Sequence, residues 1–72
     1  MRRREVESWL LAHAFRALPQ KATGHRYFER NGVKVTLRSH GPQELSRKHQ
    51  GMLIRQIVAA GIPKDEVLAG LR

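Results

Sequence analysis

Two six-residue runs, His25 to Arg30 and Val33 to Arg38, flank the dipeptide Asn31-Gly32. Asn-Gly favours a type I′ hairpin turn because both central residues take positive φ, which most side chains resist. A two-residue loop pairs Arg30 with Val33, and the rest of the register follows. Phe28 falls opposite Val35, Arg26 opposite Leu37, Glu29 opposite Lys34, Tyr27 opposite Thr36, and His25 opposite Arg38. One face then carries Phe28, Val33, Val35 and Leu37 and belongs to the core. The other carries His25, Tyr27, Glu29, Lys34, Thr36 and Arg38 and is polar and mostly basic. Glu29 facing Lys34 is a favourable cross-strand pair and supports this register. A slip of one residue would exchange the two faces.

The remaining elements are read around this hairpin. Val6, Trp9, Leu10, His13 and Ala14 recur at helical spacing, which predicts a helix over residues 3–15. Trp9 reads as a core anchor and His13 as a partly buried histidine at its edge. Arg2-Arg3-Arg4 reads as a flexible charged end that could add non-specific affinity for a phosphate backbone. Arg16 to Ala22 is short and contains Pro19, so it makes at most an edge or bulged strand. Ala22-Thr23-Gly24 is a turn. Ser39 to Leu45, with Gly41-Pro42 at its centre, is a loop. Ser46 is placed to cap a helix over 47–60 that lines up Leu53, Ile54, Ile57 and Val58 and stops at Gly61. Gly51 within it would permit close packing. Pro63, followed by Asp65 and Glu66, starts a short final helix to about Leu71. The order predicts one α+β domain over residues 1–72. Its pattern is α-β-β-β-α with a short C-terminal helix: a three-stranded antiparallel sheet with its helices on one face.

Fourteen Lys and Arg against six Asp and Glu give a net charge of +8 on 72 residues. Such a balance speaks of partners rather than of fold, and phosphate backbones are the usual counterpart. The cations concentrate between Arg16 and Arg55, where Glu29 and Glu44 are the acids. An acidic protein is the other class of partner that this charge would suit, and a solubility surplus with no specific partner is the third reading. There is no cysteine, so no disulfide or thiolate metal site is expected. No apolar run approaches the roughly 20 residues that span a bilayer. The N-terminal arginines are followed at once by Glu5, Glu7 and Ser8, so no export signal is read and a cytoplasmic location is expected.

The chemistry narrows by residue type. The four histidines, His13, His25, His40 and His49, form no His-x-x-x-His pair and have no clustered carboxylates beside them. No metal site is expected, nor any cofactor, since nucleotide-binding fingerprints are missing. RNA can be cut without either, because its own 2′-OH serves as nucleophile. Such a reaction needs a group that moves a proton near neutrality, and histidine as a residue type does so. It also needs positive charge at the phosphorus centre. His25 follows a glycine turn and lies on the polar hairpin face opposite Arg38, with Lys21 just upstream. Lys21, Lys34 and Arg38 are candidate phosphate contacts. Tyr27 is placed either to stack on a base or to cover the sheet.

Three stretches carry a family resemblance. They are Thr23-Gly24-His25-Arg26-Tyr27-Phe28, Val33-Lys34-Val35-Thr36-Leu37, and Ser39-His40-Gly41. Glu44-Leu45 leading into Gly51-Met52-Leu53-Ile54-Arg55-Gln56-Ile57 and Ala60-Gly61-Ile62 extends it. Together they resemble the HicA toxin family over about residues 20–62. The resemblance implies a double-stranded-RNA-binding-like α-β-β-β-α fold and the activity of a type II toxin, a metal-independent mRNA endoribonuclease. It implies an mRNA substrate and a HicB-type antitoxin as protein partner. His25 stands where the family has its catalytic histidine, Thr23 and Gly24 form the RNA-contacting turn before it, and His40 is read as holding its loop. The chain departs from the family in having Thr23-Gly24 for Gly-Ser and in carrying Pro19 in the first strand. The alternative reading of the same residues is a non-catalytic RNA-binding module, and a third is a basic subunit that binds an acidic protein. The pattern is neutral on self-association.

Overall fold

The hairpin forms in the register that Asn31-Gly32 dictates. In the computed structural model, which describes residues 1–19, 25–38 and 43–71, Asn31 and Gly32 take φ of 54° and 76°. Strands β2 (His25–Arg30) and β3 (Val33–Arg38) pair from Arg30↔Val33 to His25↔Arg38, as expected. The full element order is α1 (Arg3–Ala12), β1 (Arg16–Ala17), β2, β3, α2 (Arg47–Ala59) and α3 (Lys64–Leu71). The sheet runs β1-β2-β3, all antiparallel, with β2 in the middle. Phe28, Val35 and Leu37 project from one face into a core closed by Val6 and Leu10 of α1, Leu53 and Ile57 of α2, and Val67 and Leu71 of α3. The α+β class and the one-sided placement of helices are therefore present.

Helix α1 stops three residues short of the expected end. Ala14 adopts φ 65°, a left-handed conformation more often taken by glycine. The backbone N–H groups of His13 and Phe15 both donate to Leu10 O, at 3.1 and 3.0 Å. This turn delivers Phe15, 4% exposed, into the core. It also launches β1, whose Arg16 and Ala17 pair with Glu29 and Phe28. Leu18 N donates to Tyr27 O at 2.9 Å, and the pairing ends before Pro19, which has no N–H to offer.

The arginine-rich start is not a loose end. Arg2 bridges Glu44 in antiparallel fashion, Arg3 N donates to Gln43 O at 2.9 Å, and Leu45 N donates to Met1 O at 3.0 Å. Helix α1 begins immediately afterwards.

Helix α2 starts and ends as the sequence predicts, with Ser46 Oγ accepting from His49 N at 3.2 Å and Gly61 at φ 102°. Its last turn meets the hairpin tip. Arg30 Nη1 and Asn31 Nδ2 donate to Ala60 O at 2.7 and 3.0 Å, satisfying a carbonyl that the helix end leaves open. The same helix covers the outer edge of β3. In an antiparallel ladder the N–H and C=O of Thr36, opposite Tyr27, point away from β2. Gln56 Oε1 accepts from Thr36 N at 3.0 Å, and His49 Nε2 lies 3.4 Å from Thr36 O, where its N–H can donate. A stretch of strand that would invite pairing with another chain is thereby occupied. Two expectations for α2 fail. Val58 is 39% exposed rather than buried. Gly51 faces open space rather than a close neighbour, whereas Gly70 of α3 lies against Trp9.

Among the described residues no helix is long and apolar enough to cross a membrane.

Candidate nucleic-acid interface

Alternation along each strand sends every second side chain to the face opposite the core. On that face the residues form rows across the sheet, set by the pairing. Nearest the turn are Arg16, Glu29 and Lys34, next come Leu18, Tyr27 and Thr36, and at the open end His25 and Arg38 stand opposite each other. Directly opposite side chains have their Cβ atoms about 5 Å apart. His25 is half-buried, while Lys34 and Arg38 are exposed.

The pairings differ in one respect from the sequence reading. Glu29 reaches Arg16 of β1, Oε2 to Nη2 at 3.4 Å, rather than Lys34. Lys34 instead carries its ammonium 5.8 Å from the centre of the Tyr27 ring, within cation–π range. One face of Tyr27 is therefore shared with a cation on the open side of the sheet. Among the described residues no side-chain hydrogen bond holds the His25 imidazole, and no three His, Asp or Glu side chains gather at metal-binding distance.

Of the predicted site residues, the hairpin brings His25, Tyr27, Lys34 and Arg38 onto one surface. Lys21, Thr23 and Gly24 lie outside the described residues, as do Ser39, His40 and Gly41. His49 sits on the β3 edge, and His13 lies against Trp9.

Compared with protein-family models, curated proteins and solved structures, the chain matches none.

Three cations escaped the sequence reading of the site. Arg26, on the core side of β2, passes beside Phe28 at 5.4 Å from the ring centre and forms an ion pair with Glu7 of α1. Arg3 and Arg4, from the first turn of α1, come to the same end of the hairpin. Arg3 Nη1 donates to Arg38 O at 3.4 Å. Together with Leu37, Arg38 and Gln43 they line a cavity of about 240 Å³. Only the charge of the N-terminal run was visible beforehand, because its partner segments lie far along the chain.

Proposed function

We propose that this protein is an RNA-cleaving toxin of the HicA type, acting from the open face of its sheet with His25 as the catalytic residue. The observation that carries the reading is His25 directly opposite Arg38 at the open end of the hairpin. A proton-transferring group and a permanent cation thus share one row, on a face that also offers Tyr27 and Lys34. In the reaction, a ribose 2′-oxygen attacks the adjacent phosphorus and loses its proton, while the bond from phosphorus to the 5′-oxygen breaks and that oxygen gains a proton. The products are a 2′,3′-cyclic phosphate and a free 5′-hydroxyl. His25 moves a proton at one of these two oxygens. Arg38 neutralises charge building on the non-bridging oxygens, and a guanidinium does so in any protonation regime near neutrality. Lys34 and Arg38 hold neighbouring phosphates, and Tyr27 offers a ring to a base. Lys21, Thr23 and Gly24 complete the RNA-contacting set by resemblance. Such a protein works in the cytoplasm, where its mRNA is. It requires a HicB-type antitoxin, whose natural footing is the same polar sheet face.

The test is incubation of purified protein with RNA in EDTA. The expected result is cleavage to cyclic-phosphate ends, lost in His25→Ala while circular dichroism shows the fold intact. Continued cleavage by a folded His25→Ala protein would overturn the assignment. One observation favours the alternative of a non-catalytic RNA-binding module: among the described residues, the group facing His25 in its row is Arg38, which does not exchange its proton near neutrality. That reading expects salt-sensitive RNA binding without cleavage, weakened by changing Lys34 and Arg38 and indifferent to His25.

A further inference from the structure

We infer that the cavity between the first turn of α1 and the open end of the hairpin seats one phosphodiester phosphate of a bound RNA strand. Its lining brings Arg3, Arg4 and Arg26 together with a single carboxylate, Glu7, and Arg38 of the adjoining strand end completes it, its backbone carbonyl accepting from Arg3. Three cations and one anion leave an excess of two positive charges in the recess, with the Arg38 guanidinium on the adjoining open face. Like charges gathered this way repel, and an anion between them removes the penalty. Two of the three are already held in place. Arg26 is fixed by Glu7, and Arg3 by the carbonyl of Arg38. A guanidinium has five N–H donors, so each keeps others to offer an anion. Arginine forks match phosphate oxygens in pairs, and fixing the forks beforehand lowers the ordering cost of binding.

The location selects the phosphate source. Arg38 lines the cavity and also faces His25 across the hairpin, and Arg26 follows His25 in the chain. A strand whose scissile phosphate lies beside His25 would pass a neighbouring phosphate over the rim of this recess. The inference rests on the sheet face being an RNA site, but not on His25 cutting RNA. A protein surface bearing carboxylates is the competing occupant. It is disfavoured because the arginines converge into a recess rather than spreading over a flat patch.

The experiment uses the full chain and a fluorescent 2′-O-methyl oligoribonucleotide, which keeps every phosphate but has no 2′-OH to attack. Binding is followed by anisotropy over a range of KCl concentrations. Arg4→Gln, at an exposed position off the sheet face, is expected to weaken binding several-fold and to reduce the salt slope by about 0.7, the single-strand value for one lost phosphate contact. Glu7→Gln is expected to tighten binding several-fold by unmasking Arg26. Asp65→Asn makes the same change of charge on α3, outside the cavity lining, and is expected to have a clearly smaller effect. Circular dichroism checks that each variant is folded; if Glu7→Gln does not fold, Arg4→Gln alone decides. Wild-type affinity and slope in Arg4→Gln, or equal effects of Glu7→Gln and Asp65→Asn, would overturn the inference. So would a cavity that takes poly-glutamate in an Arg4-dependent way but not RNA. Failure of His25-dependent cleavage is read separately, in the EDTA assay, and leaves this binding result intact.

Discussion

The imidazole of His13 lies on the indole of Trp9, with ring centroids 3.8 Å apart and planes 21° from parallel. Trp9 lies in the last turn of α1 and His13 just past its end, and His13 Nδ1 lies 2.8 Å from Trp9 O, so that its N–H donates there. The indole also meets Gly70 of α3. A methyl group at Gly70 would overlap the Nε1 edge of the ring. Gly70→Ala is therefore expected to destabilise the protein by about 1–3 kcal/mol as an overpacking change, despite a helix-propensity gain of up to about 1 kcal/mol. Urea unfolding measures it. A raised midpoint would mean that the indole yields without loss.

Gly51 gives the opposite sign. It lies within α2, exposed, and a methyl there meets nothing within 4 Å. Gly51→Ala should raise stability by roughly 0.5–1 kcal/mol, since alanine loses less backbone freedom in a helix. A thermal midpoint that rises for Gly51→Ala and falls for Gly70→Ala would separate packing from propensity in two otherwise identical substitutions.

These two glycines show where the sequence stops being informative. The hairpin was legible because Asn31-Gly32 encodes its own backbone and the flanking alternation fixes which side is buried. Ser46 and Gly61 marked the limits of α2 through equally local chemistry. Gly51 and Gly70 look alike in sequence, and only the approach of α1 to α3 tells them apart. The end of α1 was missed because an alanine, not a glycine, takes the left-handed turn at position 14. The site divides in the same way. That His25, Tyr27, Lys34 and Arg38 share one face followed from strand register alone. The gathering of Arg3 and Arg4 beside Arg26 depends on pairing between the N-terminus and residues 43–45, a contact of long sequence separation that leaves no local trace.

Asn31 has two tasks that one substitution can part. Its φ of 54° serves the turn, and its Nδ2 donates to Ala60 O at the end of α2. Asp tolerates the same backbone but brings no donor, and it sets a negative charge against the negative end of the helix dipole. Asn31→Asp should cost about 1–2 kcal/mol, more than Asn31→Gly, which loses only the hydrogen bond. Equal urea midpoints for the two would show that a negative charge beside the end of α2 costs nothing.

His25 and Arg26 are neighbours in the chain with side chains on opposite sides of the sheet, so they should divide function from folding. His25 is half-buried on the open face, and replacing it by alanine should change stability by no more than about 0.5 kcal/mol, as surface substitutions do. Arg26 pairs with Glu7, and its stem lies beside Phe28, with both charged side chains about one-third exposed (34% and 31%). Solvent screening limits the worth of such an ion pair to within about 1 kcal/mol, and loss of the packed stem adds to it. Arg26→Ala should thus lower the urea midpoint where His25→Ala does not. In RNA assays the order reverses: His25→Ala should abolish cleavage, and Arg26→Ala should weaken binding while leaving residual cleavage at saturating RNA. Matching losses of stability in the two variants would indicate that His25 is part of the packing rather than of the reactive face.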